Sequence, residues 1–342
     1  LLAATVGNPT AREIVTRMQD ACVTALGTLV HAYHPEVVIF GGGVMEKHFD
    51  AFFAEKLSTA AKRATLTLAH PVRVRKALLG NRAGMIGAAA LLGADLAGKI
   101  ALRAGDDYEA MSRQAAELVV ETLRRTPEAR IVFATGESPK RMYQLLAAHP
   151  AKPAGLYQHL RAVQLDEWGG LAPDHPASCA AYLRQHVWGP WGIPEERILG
   201  FAGNAPDPEA ECGRVAAALR GLGRIDLVIL GLGTNGHLAL NEPGDTLSPG
   251  AHVARLSPSS RRHSMILGLG DEPRTGLTLG MADLLGSRRI LLLVSGAGKA
   301  EVFRRWRTRT ISTQFPASLL WTHPDVACLC DRAALGEPEE TA

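Results

Sequence analysis

Apolar residues along the chain recur at two spacings, and the changes between them mark out the elements. Over residues 12–32, Ile14, Met18, Cys22, Leu26 and Leu29 fall at helical spacing. EVVIFGGGV follows, a short β-rich run into Gly41, Gly42 and Gly43, which predicts a strand and a tight turn. A helix is expected over about 48–63, a short strand at Val72 and Val74, and a small-residue helix over 82–97. Near residue 98 a new unit starts. Tyr108, Met111, Ala115, Leu118 and Thr122 again step by three and four. IVFATGESPK (131–140) predicts a strand, a turn and a helix start, with Pro139 suited to the first helical turn. AVQLDEW (162–168) predicts one strand ending in carboxylates, and 208–222 a helix. IDLVILGLG (225–233) and RRILLLVSG (288–296) are nearly unbroken apolar strands, as in parallel sheets buried on both faces. DVACLC is a last short strand.

Strands alternating with helices predict an α/β fold. The reading is an open, mostly parallel sheet flanked by helices over residues 98–342, preceded by a partial α/β lobe over residues 1–97. TGESP, LDEW, GLGTNGH and SGAGK each directly follow an apolar strand. Ligands of open α/β sheets bind outside the carboxyl ends of the strands. Four polar segments therefore converge on one edge of one sheet.

Composition narrows the partners. A chain of 342 residues, 46% hydrophobic and 21% charged, has the material for two buried cores. A net charge of +3 does not call for a nucleic-acid partner. The longest apolar runs are strand-sized, so no membrane span is expected, and no leader pattern opens the chain; a cytoplasmic location follows as the expectation. The chain starts at Leu1 in mid-pattern and reads as a piece of something longer. Five scattered cysteines do not form a disulfide framework. Cys328 and Cys330 share a strand face and read as buried thiols rather than metal ligands. His31, His34 and His48 lack metal-ligand spacing, and no metal site is expected.

The residues able to carry chemistry cluster in the polar segments. Alternation points Asp166 and Glu167 to opposite sides, so at most one faces a given pocket, as a general base or as a helix cap. GLGTNGHLALNEPG (231–244) holds Asn235, His237 and Glu242. An imidazole titrates near neutral pH and suits a proton carrier; a carboxylate five residues on can orient it and stabilise its charge. Thr135, Gly136 and Ser138 lie in a turn before a helix, where backbone N–H groups can receive an anion. Glu137 opposes that reading unless it points away. Lys299 follows a second glycine-rich turn and is either a phosphate partner or a solvated lysine. The Gly41–Gly43 turn allows either close approach of a nucleotide or a tight strand-to-helix connection.

Taken in order, TGxxP, LDEW, GxGxxGHxAxNEP and VSGxxK over residues 98–332 resemble the glucosamine-6-phosphate deaminase / 6-phosphogluconolactonase superfamily. The NEP tripeptide resembles its deaminase/isomerase form. With LDEW, GTNGHLALNEPG and ISTQFPASLLWTHPD, the chain looks most like the galactosamine-6-phosphate branch. The resemblance implies a deaminating aldose–ketose isomerase that converts glucosamine or galactosamine 6-phosphate to a ketose 6-phosphate and ammonia, with no metal or organic cofactor. It implies Asp166 as the base moving a proton between carbons 2 and 1, His237 as the ring opener and Glu242 as its supporting carboxylate. It implies Thr135, Gly136, Ser138 and Lys299 as holders of the 6-phosphate.

Three positions depart from the glucosamine-type pattern. Asn235 replaces an Asp; it can still hydrogen-bond His237 but brings no charge. The phosphate-binding Arg is out of register, with Arg261, Arg262 or His263 as substitutes. Asp245, His252 and Ala254 replace the Ser/Arg/Lys of the allosteric site, so no activation by N-acetylglucosamine 6-phosphate is expected. Residues 1–97 resemble the C-terminal part of ROK-family sugar kinases and repressors through PEVVIFGGGV and RAGMIGAAALL. The family's catalytic Asp segment and Cys-rich zinc motif lie upstream of the matching part, so this lobe is not expected to phosphorylate. The implied whole is a truncated kinase–deaminase fusion. Two alternatives stand beside the deaminase: a 6-phosphogluconolactonase-type hydrolase and a non-catalytic sugar-phosphate sensor. The carbon-4 epimer and the presence of a homo-oligomer are left open.

Overall fold

The computed structural model describes residues 8–33, 37–40, 48–64, 72–76, 100–152, 155–270 and 272–337. The chain divides into two compact units, Leu1–Ala94 and Asp95–Ala342.

In the first unit, the helix Pro9–Tyr33 leads to β1 (Val37–Phe40). A π-helical turn, Phe49–Phe53, runs into the helix Ala54–Ala64 and then to β2 (Arg73–Lys76). β1 and β2 pair in parallel, Val38 opposite Val74. Leu26, Val30, Phe53, Leu57, Val72 and Val74 build the core. The helical stripe read from the sequence holds at Met18, Cys22 and Leu26, but at its ends Ile14 and Leu29 are exposed while Val15 and Val30 face inward. The Gly41–Gly43 turn, the 82–97 helix, His34 and the side chain of His31 lie outside the described residues.

Among the described residues the second unit carries ten strands. They are β3 (Ala101–Gly105), β4 (Arg130–Phe133), β5 (Arg161–Gln164), β6 (Asp166–Trp168) and β7 (Ile198–Leu199), then β8 (Leu227–Gly231), β9 (His252–Arg255), β10 (Thr275–Thr278), β11 (Arg289–Val294) and β12 (Val326–Asp331). Seven form one sheet in the order β3-β12-β11-β8-β4-β5-β7, with every pairing parallel. β6, β10 and β9 form a small antiparallel sheet. From β4 the chain steps outward to β5 and β7. It returns at β8 on the other side of β4 and continues through β11 to β12. The direction of winding therefore reverses between β4 and β8, which opens a crevice above their carboxyl ends.

Alternation along the strands feeds two cores. Leu227, Ile229, Leu291 and Leu293 pack with the helices Tyr108–Arg125 and Glu137–Ala147. Val228, Leu230, Leu292 and Val294 pack with the helices Pro208–Leu222 and Ala300–Arg307. A fully buried aliphatic side chain of this kind contributes about 2 kcal/mol. Cys328 and Cys330 both enter the second core while Ala327 and Leu329 enter the first, as alternation requires. All five cysteines are free thiols. Among the described residues no helix is long and apolar enough to cross a membrane.

The hydrophobic pattern does not predict β7, β9, β10 or the helix Ala300–Arg307, and two further elements differ from expectation. β3 is an edge strand exposed at four of its five residues, and ALRAG carries no apolar alternation that would reveal it. At its end Gly105 packs so closely that a Cβ would sit 2.5 Å from the Met111 nitrogen. The segment AVQLDEW is two strands, not one. Leu165 N still donates to Phe133 O (3.2 Å) in the main sheet, but from Asp166 onward the chain pairs with β10. The Gln164 side chain braces the change, donating to Asp166 O and to Glu167 Oε2, both at 2.9 Å. The backbone stays extended throughout and only its hydrogen-bond partner changes, which a hydrophobic pattern does not record.

Candidate active site

Above the reversal between β4 and β8 lies a cavity of about 520 Å³. The ends of β4, β6, β8 and β11 line it, together with part of the 257–273 loop that joins β9 to β10. That loop is closed at its neck by Leu256 N donating to Arg274 O (3.0 Å). Asp166, His237, Thr135, Gly136, Ser138 and Lys299 all face this one cavity. Asn235 and Glu242 do not line it and stand behind His237.

The two carboxylates of LDEW separate as alternation predicts. Glu167 is fully buried and structural: it accepts from the backbone N–H groups of Trp168, Cys179 and Ala180, at 2.8, 2.8 and 2.9 Å, and so caps the helix Cys179–Leu183. Asp166 is 8% exposed and lines the cavity. Among the described residues no N–H or O–H donates to its carboxylate. Burial first, and the charge of Glu167 second, push its pKa up to about 7.

His237 belongs to a tight turn. Gly233 approaches its ring so closely that a Cβ there would lie 2.2 Å from Cδ2. Gly236 adopts φ +89°, the left-handed region that favours glycine, with the Phe315 ring packed where a Cβ would be. Asn235 does hydrogen-bond His237, through the backbone: Oδ1 accepts from His237 N at 3.0 Å, and Nδ2 donates to Glu242 Oε2 at 2.8 Å. The ring's Nδ1 instead meets Glu242 Oε2 (3.6 Å) and Ser260 Oγ (3.2 Å). Ser257 N donates to Glu242 Oε1 at 3.2 Å. Burial pushes Glu242 upward, but His237, Ser260 and Asn235 outweigh it and hold the carboxyl at about 2. Glu242 is thus a fixed negative charge behind the ring, and Asn235 ties it to the turn without adding a charge of its own.

The opposite end suits an anion. Gly136, at φ +103°, opens the helix Glu137–Ala147, whose first N–H groups have no intrahelical acceptor. Tyr182 OH pins the turn through Gly136 O (2.6 Å). Ser138 Oγ lies 2.9 Å from Ser295 Oγ, joining the turn after β4 to the turn after β11. Gly296 holds that second turn at φ +85°, with its N–H on the Asp331 carboxylate (2.9 Å). Lys299 Nζ reaches Leu232 O (2.6 Å), and burial lowers its pKa. Glu137 also lines the cavity, exposed and paired with Lys140 (3.3 Å), which offsets its charge at this end.

Of the three substitutes for the displaced arginine, Arg262 and His263 line the cavity and Arg261 does not. Sequence reasoning missed Ser257, Ser260, Ser295 and Tyr182. The serine cluster in LSPSSRRH was the available signal for the first two. Among the described residues, no group of three or more His, Cys, Asp or Glu is arranged to hold a metal ion.

Residues 106–328 match the family described as glucosamine-6-phosphate isomerases/6-phosphogluconolactonase, and residues 1–94 match the ROK family. The chain is 38% identical over 231 residues to a glucosamine-6-phosphate deaminase of Geobacillus sp. (strain WCH70), covering 67% of this chain and 92% of that protein. It is 38% identical over 224 residues to the putative deaminase AgaI of Escherichia coli (strain K12), covering 66% and 89%. A solved monomeric glucosamine-6-phosphate deaminase superposes with a TM-score of 0.67 at 35% identity, over 70% of this chain and 100% of that one.

Proposed function

The chain belongs to the glucosamine-6-phosphate isomerase/6-phosphogluconolactonase family, and from that premise we propose that it is a deaminating isomerase of an amino sugar 6-phosphate, with glucosamine 6-phosphate or galactosamine 6-phosphate as substrate. The products are the ketose 6-phosphate and ammonia. One observation carries the reading: a buried carboxylate with no donor, held near neutrality in its titration, shares a cavity with an imidazole backed by a fixed charge.

The phosphate is held by the N–H groups at Gly136–Ser138, by Ser138 and by Lys299, with Thr135 shaping the same turn. His237 moves the proton from the carbon-1 hydroxyl to the ring oxygen, opening the ring to the aldehyde. Glu242 stabilises the imidazolium formed on the way. Asp166 then removes the proton on carbon 2 while a proton of the substrate ammonium passes to the carbon-1 oxygen, giving a neutral enolamine, and Asp166 delivers its proton to carbon 1. The resulting iminium at carbon 2 adds water, and ammonia leaves. A base that both takes and returns a proton works best with a pKa near the operating pH, and Asp166 at about 7 meets that requirement.

The test is ammonia release from glucosamine and galactosamine 6-phosphates, run with Asp166→Asn alongside. Release from at least one sugar that Asp166→Asn abolishes supports the reading. Acid release from 6-phosphogluconolactone without ammonia from either sugar overturns it in favour of a hydrolase. Sugar-phosphate binding without turnover overturns it in favour of a sensor.

A further inference from the structure

His263 is not used by the mechanism above, yet it stands in the same cavity. It lies in the 257–273 loop, and its ring is backed by Trp168 at 5.4 Å between centroids. The ring's orientation is set by its own loop, where Met265 N–H points at Nδ1 (3.3 Å) and makes that nitrogen an acceptor. In a neutral imidazole whose Nδ1 accepts, the proton sits on Nε2. Burial holds the ring neutral, with His237 and Lys299 adding to the effect, so its pKa is lowered. Among the described residues nothing accepts from Nε2. The result is one neutral N–H donor of fixed direction with its acceptor missing.

Position limits what that acceptor is. Trp168 is two residues on from Asp166, which works at carbons 1 and 2. His237 and Lys299 both act electrostatically on the ring, and Lys299 belongs to the phosphate end. A donor that lines the same cavity as Asp166, His237 and Lys299 but belongs to neither end of an open hexose phosphate is placed for its middle carbons. A single neutral donor also suits a hydroxyl better than a phosphate dianion, which the turns at Gly136 and Gly296 are built to receive.

We propose that His263 is a specificity-determining residue whose Nε2–H donates to the substrate hydroxyl at carbon 4, and so selects between the glucosamine and galactosamine epimers. The assignment rests on the deaminase reading for the identity of the sugar. A donor fixed by its loop and by Trp168 reaches that hydroxyl in one configuration only.

The experiment compares wild type, His263→Gln and His263→Phe. Gln keeps an N–H donor at similar reach, and Phe keeps the ring without one. Ammonia release is measured with both amino sugar 6-phosphates and with the 4-deoxy analogue. Binding is measured by calorimetry with the reduced, open-chain 2-amino-2-deoxyhexitol 6-phosphates, which cannot turn over. Expected is a loss of about ten-fold in kcat/KM and in affinity for the preferred epimer in His263→Phe, the size of one net hydrogen bond. The ratio between epimers collapses toward unity in that variant, Gln restores it in part, and the 4-deoxy analogue does not distinguish the three proteins. Equal losses with both epimers, or a loss that persists with the 4-deoxy analogue, overturn the assignment. Unchanged affinities for the hexitol phosphates overturn it whether or not ammonia is released. Absence of ammonia release by wild type, with the epimer-selective binding loss intact, sinks the catalytic reading and leaves His263 as the selector.

Discussion

The strand end at Asp166 and the loop at His237–Glu242 face one cavity and treat their carboxylates in opposite ways. Asp166 is buried at the cavity wall and receives no donor among the described residues, so burial and then the charge of Glu167 drive it up to about 7. Glu242 is also removed from water, yet its contacts with His237, Ser260 and Asn235 hold it at about 2. Burial alone therefore does not set a carboxylate's behaviour; the supply of donors decides whether the group keeps its proton at hand or holds a permanent charge. A proton carrier needs the first arrangement, and a stabiliser of an imidazolium needs the second.

The largest effect expected from this contrast is at Asp166. Asp166→Asn lowers kcat by about a thousand-fold, within the range for loss of a general base, and at the same time raises the melting temperature at pH 8. The folded pKa lies above the unfolded one, so ionising Asp166 costs stability. That cost is absent below about 3.8, grows as pH rises, and is complete above about 7. Calorimetry of the pair at pH 5 and pH 8 reads it, and a lower melting temperature for the variant at pH 8 breaks the comparison. In wild type the same group makes kcat/KM rise with pH through about 7.

Glu242→Gln is the mirror image and loses both quantities. Activity falls about a hundred-fold, and urea unfolding at neutral pH shows lower stability. Because its folded pKa is depressed, Glu242 contributes stability that is full above about 4.5 and disappears as pH falls toward 2. The stability gap between wild type and variant should therefore close in acid. A gap that widens there contradicts the assignment.

Gly233→Ala is a smaller change aimed at geometry alone. The added methyl displaces the His237 ring, and kcat drops on the order of ten-fold while the KM for sugar phosphate stays close to wild type. A change confined to KM places the effect at the phosphate end instead. The smallest effect is none at all: N-acetylglucosamine 6-phosphate should leave the saturation curve unchanged. Asp245 is occupied with Gln314 (3.0 Å), His252 with Gly250 O (3.0 Å), and Ala254 is buried. A leftward shift of the curve on titration refutes this.

Much of the fold was legible because parallel strands buried on both faces are written as unbroken apolar runs, such as LVIL and ILLLV. The convergence of Asp166, His237, Thr135, Ser138 and Lys299 followed from strand ends alone. The opposition of Asp166 and Glu167 was visible in the period of two. What escaped notice depends on partners rather than on pattern. β3 is an exposed edge whose only evidence is the neighbour it pairs with. The split at Leu165 leaves the backbone extended. The tie between Asn235 and Glu242 depends on a turn whose shape was not foreseeable from residue types. Ser257 and Ser260 come from a loop without periodicity.

That loop is closed at its neck by one backbone hydrogen bond between Leu256 and Arg274, whereas Asp166 sits where the chain passes from one sheet to the other. In the terms of protein engineering, the loop is an exchangeable cassette and the fork is a fixed mount. Exchanging only the loop's distal part, residues 261–270, leaves Ser257 on Glu242 and Ser260 on His237 and is expected to retune which sugar is accepted, while the base that performs the chemistry keeps its place.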